Sequence, residues 1–89
     1  MFKDKKAVSL RYPPTAQAPF ITATGKNLVA EKILKIAKEN GISIVENKEL
    51  TDVLFLESPG NLIPETVYEA VAKVFCFIQA IEEKEQNYD

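Results

Sequence analysis

Gly25 and Lys26 are the residues whose types come closest to a phosphate-binding loop. They follow a predicted strand and precede a predicted helix, whose N-terminus would suit an anion. The upstream glycine of the phosphate-loop pattern is missing, however, and Asn27 stands where the pattern needs a hydroxyl. A plain turn is therefore the preferred interpretation of this glycine.

Paired carboxylates are the second arrangement that could do chemistry. Glu65 and Glu69 lie one helical turn apart, and three further glutamates, Glu82, Glu83 and Glu85, cluster near the end of the chain. Such pairs act as acid and base only where burial or mutual repulsion shifts their pKa values. These glutamates fall on polar helix faces, which favours a solvated surface over a catalytic dyad.

Cys76 is the single cysteine of a chain that contains no histidine. This composition excludes a zinc cluster, a disulfide framework and a histidine-assisted nucleophile. Cys76 is therefore interpreted as a structural residue or a semi-exposed thiol. No catalytic residue, metal site or cofactor is predicted.

Length and charge limit the class of protein further. The 89 residues, 46% of them hydrophobic and 27% charged, are enough for one domain with one core. A net charge of −2 without a basic and aromatic stripe argues against nucleic acid as a partner. No apolar run is long enough to span a bilayer, and residues 1–6 lack the apolar stretch of a secretory signal. We therefore expect a cytoplasmic protein.

The first predicted element is a half-buried strand over Ala7–Tyr12, in which Val8, Leu10 and Tyr12 alternate with polar residues. Pro13 and Pro14 follow. They are interpreted as a stiff connector, because the PxxP spacing of a proline-rich recognition segment is absent.

A strand-helix-strand unit is predicted next. Pro19 opens a β-branched strand that ends at Gly25, and apolar residues at helical spacing indicate a helix from about 27 to 40. Gly41 is expected to end that helix as a left-handed cap. The strand Ile42–Glu46 would then lie parallel to the second strand after a right-handed crossover.

Two further helices complete the prediction, at about 48–56 and 64–83, the longer one opened by Pro64. Phe77 falls off the apolar stripe of the longer helix, so it is either a second packing contact or an exposed aromatic. The predicted fold is α/β: a small mixed sheet of three strands packed with three helices, in the order β-β-α-β-α-α. The domain is placed at 7–83, with tails at 1–6 and 84–89.

Five motifs in this order resemble the cytoplasmic domain of the FlhB/YscU family of export switch proteins, which serve flagellar and virulence type III secretion. The resemblance covers about residues 7 to 81. The motifs are Ala7–Tyr12, Ala18–Gly25, Asn40–Asn47, Leu50 with Leu54, and Ile63–Ala72.

At several positions this chain departs from the family pattern. The resemblance implies an Asn-Pro-Thr-His self-cleavage motif where this chain has Phe2-Lys3-Asp4-Lys5, and none of its five prolines follows an asparagine. Asp52 stands where the family has a base, and Thr24 where a lysine is usual. We therefore expect a chain that does not cleave itself and that corresponds to the pre-cut C-terminal fragment.

The resemblance implies a non-enzymatic accessory of the export apparatus that acts in substrate recognition or specificity switching. A free-standing binding module or chaperone for export cargo is the alternative. Family members place a further strand ahead of Ala7–Tyr12, so a partner strand could complete the sheet there. A homodimer could close the same edge. Expected partner-binding residues are Val8, Leu10, Tyr12, Pro13, Pro14 and Phe77; expected structural residues are Pro19, Gly25, Gly41 and Pro64.

Overall fold

The computed structural model describes residues 4–86. The elements are β1 (Lys6–Arg11), β2 (Phe20–Lys26), α1 (Leu28–Glu39), α2 (Lys48–Phe55), a single 3-10 turn (Glu65–Val67) and α3 (Tyr68–Gln86). The class is α/β and the three predicted helices are present. Residues 1–3 of the predicted N-terminal tail and residues 87–89 of the C-terminal tail lie outside the described part of the chain.

Strands β1 and β2 form an antiparallel hairpin with a bulge. Ser9 is opposite Ala23 and Leu10 is opposite Ile21, which leaves Thr22 as the extra residue. The Thr22 side chain is hydrogen-bonded to the Ser9 hydroxyl at 2.6 Å. The bulge is therefore held by a side-chain bond as well as by the backbone ladder.

One face of the hairpin carries the hydrophobic core. Val8 and Leu10 point to this face and pack against a buried cluster. Its members come from β2 and the segment just before it, from α2 and α3, and from the residues between these two helices. The buried members of the cluster are Ala18, Ile21, Leu54, Ile63, Val67 and Val71. Because side chains alternate along a strand, the same residues that give β1 its apolar pattern anchor it to α2.

Helix α1 covers the opposite face with much smaller side chains. Ala7 of β1, Gly25 of β2 and Ala30 of α1 are buried there. A Cβ atom on Gly25 would lie 2.5 Å from Cγ1 of Val29 and 2.8 Å from Cδ1 of Ile33. Gly25 is thus the residue that lets α1 approach the sheet.

Helix α1 ends in a Schellman motif. Gly41 has φ of 67°, and the Ile42 N–H donates to the Ala37 carbonyl at 2.9 Å. The Gly41 N–H donates to the Lys38 carbonyl at 3.3 Å. The left-handed residue satisfies the last carbonyls of the helix and turns the chain away from it.

The predicted third strand, Ile42–Glu46, is wrong for the described residues. The sheet has two strands, so the parallel pair and the β-β-α-β-α-α order are wrong as well. Ile42, Ile44 and Val45 are exposed, and the N–H groups of residues 43–46 make no backbone hydrogen bond within 4–86. A strand needs a neighbour to receive its backbone groups, and the described chain places none beside this segment.

The predicted long helix begins one turn later than expected. Pro64 has an extended backbone and precedes the 3-10 turn that leads into α3, which then continues to Gln86. Across residues 4–86, no helix is both long and apolar enough to cross a membrane.

Candidate partner-binding surfaces

The outer edge of β1 carries backbone groups that β2 cannot reach. The Asn27 N–H donates to the Lys5 carbonyl at 2.7 Å, which marks the pair at the start of the hairpin as hydrogen-bonded. Bonded and non-bonded pairs alternate in an antiparallel ladder, so the N–H groups of Lys6 and Val8 point away from β2. Within 4–86, no backbone bond joins β1 to an element other than β2.

The outer edge of β2, in contrast, is occupied by the segment that follows α2. The Ile21 N–H donates to the Asn61 carbonyl at 2.9 Å, and the Ile63 N–H donates to the carbonyl of Pro19 at 3.0 Å. A bridge between Phe20 and Leu62 continues this pairing. Pro19 is buried. Proline has no N–H, and at this position only its carbonyl takes part in the pairing, so no hydrogen bond is lost. The open edge of the hairpin is therefore the one on β1.

The predicted partner-binding residues in and after the first strand differ in how exposed they are. Val8 and Leu10 are half-buried against the core, so their side chains fix the position of β1 and leave its edge to the backbone. Tyr12 is 51% exposed, and its ring centroid lies 5.9 Å from that of Phe75. Pro13 accepts a hydrogen bond from Ala16 in a turn, and Pro14 is exposed in the same turn.

Phe77 lies on a separate surface. It is 58% exposed on α3, next to the exposed Cys76, with the partly exposed Ile81 one turn further on. It is about 200° around the helix from Phe75, which faces the core. The structure therefore does not bring Phe77 together with the β1 residues.

A shallow apolar groove lies between α3 and the segment that joins the two strands. Its volume is about 180 Å³. Tyr12 and Phe75 form one part of it, and Tyr68 is another aromatic in its lining. The remaining lining residues are Gln17, Ala18, Pro19, Ile63, Val71 and Ala72. Sequence reasoning missed this groove, because small residues such as Ala18 and Ala72 leave a concavity only once distant segments are packed together.

Asp52 joins α2 to β1 electrostatically. Its carboxylate accepts from Lys48 Nζ at 3.0 Å and from Lys6 Nζ at 3.2 Å. The hydrogen bond from Lys48, followed by that from Lys6, lowers the pKa of Asp52 below its ordinary value. Lys6 Nζ also lies 5.4 Å from the centre of the Phe55 ring. Asp52 thus has two cationic partners, one on its own helix and one on β1.

Two of the residues considered for phosphate binding or acid-base catalysis lie in ion pairs at the surface. Lys26 pairs with Asp4 at 3.6 Å, next to the glycine of the phosphate-loop comparison. Glu69 pairs with Lys73 at 3.6 Å on exposed helix surface. Over residues 4–86, no three potential metal-binding side chains of the His, Cys, Asp or Glu types are grouped together.

Comparison with known proteins identifies relatives along most of the chain. The family described as FlhB HrpN YscU SpaS matches residues 4–78. The uncharacterized protein YlqH of Bacillus subtilis is 39% identical over 84 residues, which are 93% of this chain and 90% of YlqH. The flagellar biosynthetic protein FlhB of Helicobacter pylori is 37% identical over 82 residues, which are 91% of this chain but 23% of that protein.

Solved structures agree with the fold. A mutated C-terminal domain of EscU superposes with a TM-score of 0.80 at 27% identity, covering 84% of this chain and 93% of that domain. The C-terminal domain of PscU superposes with a TM-score of 0.78 at 24% identity, covering 82% and 95%. A family match over residues 4–78 and these relatives together establish that the chain belongs to the FlhB, HrpN, YscU and SpaS family of flagellar and type III secretion export proteins.

Proposed function

We propose that this chain is a non-enzymatic accessory of the flagellar or type III protein export apparatus. It stands in for, or supplements, the C-terminal part of the export switch protein in substrate recognition or specificity switching. The chain acts in the cytoplasm and docks at the inner-membrane apparatus. Its sequence lacks an asparagine before any proline, so it performs no self-cleavage of the family type.

The outer edge of β1, which has no strand neighbour within residues 4–86, carries this proposal. Lys6 and Val8 direct backbone N–H and C=O groups away from the hairpin, and such groups are a template for a strand from another chain. Val8 and Leu10 hold the strand against the core, so the edge keeps its position before a partner arrives. A membrane subunit of the apparatus or its linker would supply the added strand.

Binding of export cargo away from the membrane is the second candidate function. The groove beside Tyr12 and Phe75 favours it, because a volume of about 180 Å³ with mostly apolar walls suits one or two apolar side chains of an extended segment. Phe77 on the other side of α3 offers a further exposed aromatic contact.

Complementation tests the accessory role directly. A membrane export switch protein truncated at its Asn-Pro site is expressed with and without this chain, and secretion and motility are measured. We expect the chain to restore both and to co-purify with the truncated protein. Absence of any restoration together with absence of co-purification would falsify the accessory role.

Two variants at one position test whether the backbone edge of β1 contributes to binding. Lys6→Ala and Lys6→Pro both remove the ion pair with Asp52, but only the proline also removes the outward N–H. We expect Lys6→Pro to weaken co-purification well beyond Lys6→Ala. Equal behaviour of the two variants would show that β1 is not the docking edge.

Co-purification from secreting cells separates the two candidate functions. Retention of the export membrane proteins supports the accessory role. Recovery of secreted subunits without any apparatus protein supports the cargo-binding role. In that case, Phe75→Ala should release the subunits, whereas Lys6→Pro should not.

A further inference from the structure

Charge is divided unevenly along the chain. Residues 4–39 contain seven lysine and arginine residues and three acidic residues, whereas residues 40–86 contain three lysines and nine glutamate and aspartate residues. Helix α1 covers one face of the hairpin, and α2 and α3 pack on the other. The uneven sequence therefore folds into a molecule with one cationic side, at α1, and one anionic side, at α2 and α3.

The cationic face is formed by the outer surface of α1 and the β1 residues beside it. Its members are Lys5, Arg11, Lys32, Lys35 and Lys38, all exposed. Lys5 belongs to this face because its Nζ lies 4.0 Å from a carboxylate oxygen of Glu31 on α1. Arg11 lies on the same side of β1 as Ala7, which is buried beneath α1, since side chains alternate along a strand.

Much of the positive charge on this face is available to an external partner. Arg11, Lys32 and Lys38 make no ion pair with any residue in the described range 4–86. Lys35 lies 4.0 Å from Glu39, and both side chains are largely exposed. Such exposed pairs are weak and exchange readily for another anion. The cationic face can therefore bind an anionic surface without breaking a strong internal contact.

Exposed apolar side chains lie among these lysines. Leu28 is 79% exposed and Ile36 is 55% exposed. Residues four apart are neighbours on a helix surface, so Leu28, Lys32 and Ile36 form one row along α1. An alternation of lysine and apolar side chains suits the headgroup region of a membrane, where both kinds of side chain gain contacts. A purely ionic partner would use the lysines but leave Leu28 and Ile36 in water.

We propose that the cationic face binds the surface of an anionic phospholipid membrane, with α1 against the headgroups and α2 and α3 turned away. A flat membrane meets only one side of the molecule. Charges are screened over about 8 Å at physiological salt, whereas the molecule measures 44 × 29 × 20 Å. The acidic residues on the far side are therefore largely screened from the membrane, and the net charge of −2 does not prevent binding.

This lipid contact goes beyond the accessory role proposed above and is tested without any export protein. The full chain is mixed with vesicles of equal parts phosphatidylglycerol and phosphatidylcholine, or of phosphatidylcholine alone, and co-sedimentation is measured. We expect binding to the anionic vesicles only, and we expect it to weaken as salt is added. Binding to neither kind of vesicle, or to both equally, overturns the proposal and leaves the accessory role, which complementation tests, unaffected.

Three lysine variants test whether the α1 face makes the contact. Lys32→Gln and Lys38→Gln should each weaken binding to the anionic vesicles about fivefold, the usual contribution of one basic residue at such a surface. Lys73→Gln is the matched control: it removes the same charge from α3, where the lysine side chain is 78% exposed. It should bind as the wild type does. Equal losses in all three variants would contradict binding through one face.

Two leucine variants distinguish a lipid surface from an acidic protein. Leu28 on α1 and Leu56 after α2 are 79% and 81% exposed, so replacing either should change stability little. Leu28→Ala should weaken vesicle binding about threefold or more, because apolar contact is lost, and Leu56→Ala should not. If the chain binds polyglutamate as tightly as anionic vesicles and Leu28→Ala has no effect, the partner is an acidic protein and the lipid proposal is wrong.

Discussion

Gly25 sets the distance between α1 and the sheet. A Cβ there would lie 2.5 Å from Val29 Cγ1 and 3.0 Å from the Ala30 backbone nitrogen, and the latter cannot rotate away. We expect Gly25→Ala to lower the free energy of unfolding by about 1–3 kcal/mol, the usual effect of overpacking. Denaturant unfolding measures the loss.

Val29 provides the matched control for this substitution. It is largely exposed, so Val29→Ala alone should change stability little. In the double variant, the Val29 methyl groups no longer oppose the new Cβ, and part of the lost stability should return. If the two effects simply add, the contact with Val29 is not the cause.

Asp52 makes stability depend on acid pH. Its pKa is lowered in the folded state, so its favourable contribution is complete above its ordinary value of 3.8 and is lost as pH falls below that value. Asp52→Asn removes this contribution to stability at all pH values. We therefore expect the wild type to exceed Asp52→Asn in stability near neutral pH and the difference to shrink in acid, as measured by denaturation at a series of pH values.

Glu57 supplies the control for the acid dependence. It lies just beyond α2 and has no ion pair within residues 4–86. Glu57→Gln should therefore leave the pH dependence of stability unchanged. A pH profile for Asp52→Asn that runs parallel to that of the wild type would assign the effect to other groups.

At the scale of elements, α2 depends on the residue that caps its N-terminus. The Asn47 side chain accepts a hydrogen bond from the Leu50 N–H at 3.1 Å. Asn47→Ala should cost about 1 kcal/mol of stability because a helix donor is left unpaired, whereas Asn47→Asp keeps an acceptor and should cost little. Thermal unfolding of the two variants compares them. Equal losses would mean that the cap is not what Asn47 contributes.

The first two strands and the three helices could be predicted because their signals are local. Alternation in β1, the glycine at 25 and helical spacing in α1 are all visible within a few residues. The third strand could not be decided in this way, because Ile42–Glu46 has the composition of a strand but needs a neighbour elsewhere. The groove beside Tyr12 was missed for a related reason: it forms between segments about 60 residues apart.

For the molecule as a whole, one core holds the sheet to α2 and α3. Leu54 is 3% exposed at its centre, whereas Leu56, two residues on, is 81% exposed. Leu54→Ala should lower the free energy of unfolding by about 2–5 kcal/mol, a large part of the stability of a domain this small. Leu56→Ala should have little effect. Similar losses at the two positions in denaturant unfolding would contradict the placement of the core.

The two faces of the hairpin also differ in the size of the side chains that are buried against them. The α2 face buries large aliphatic side chains, whereas Ala7, Gly25 and Ala30 provide the buried contact with α1. Cooperative units open at free energies that follow their buried apolar contacts. Helix α1 is therefore expected to detach and unfold locally while the core stays folded, and limited proteolysis should cut within α1 first. The hairpin with α2 and α3 would then remain folded after α1 has unfolded.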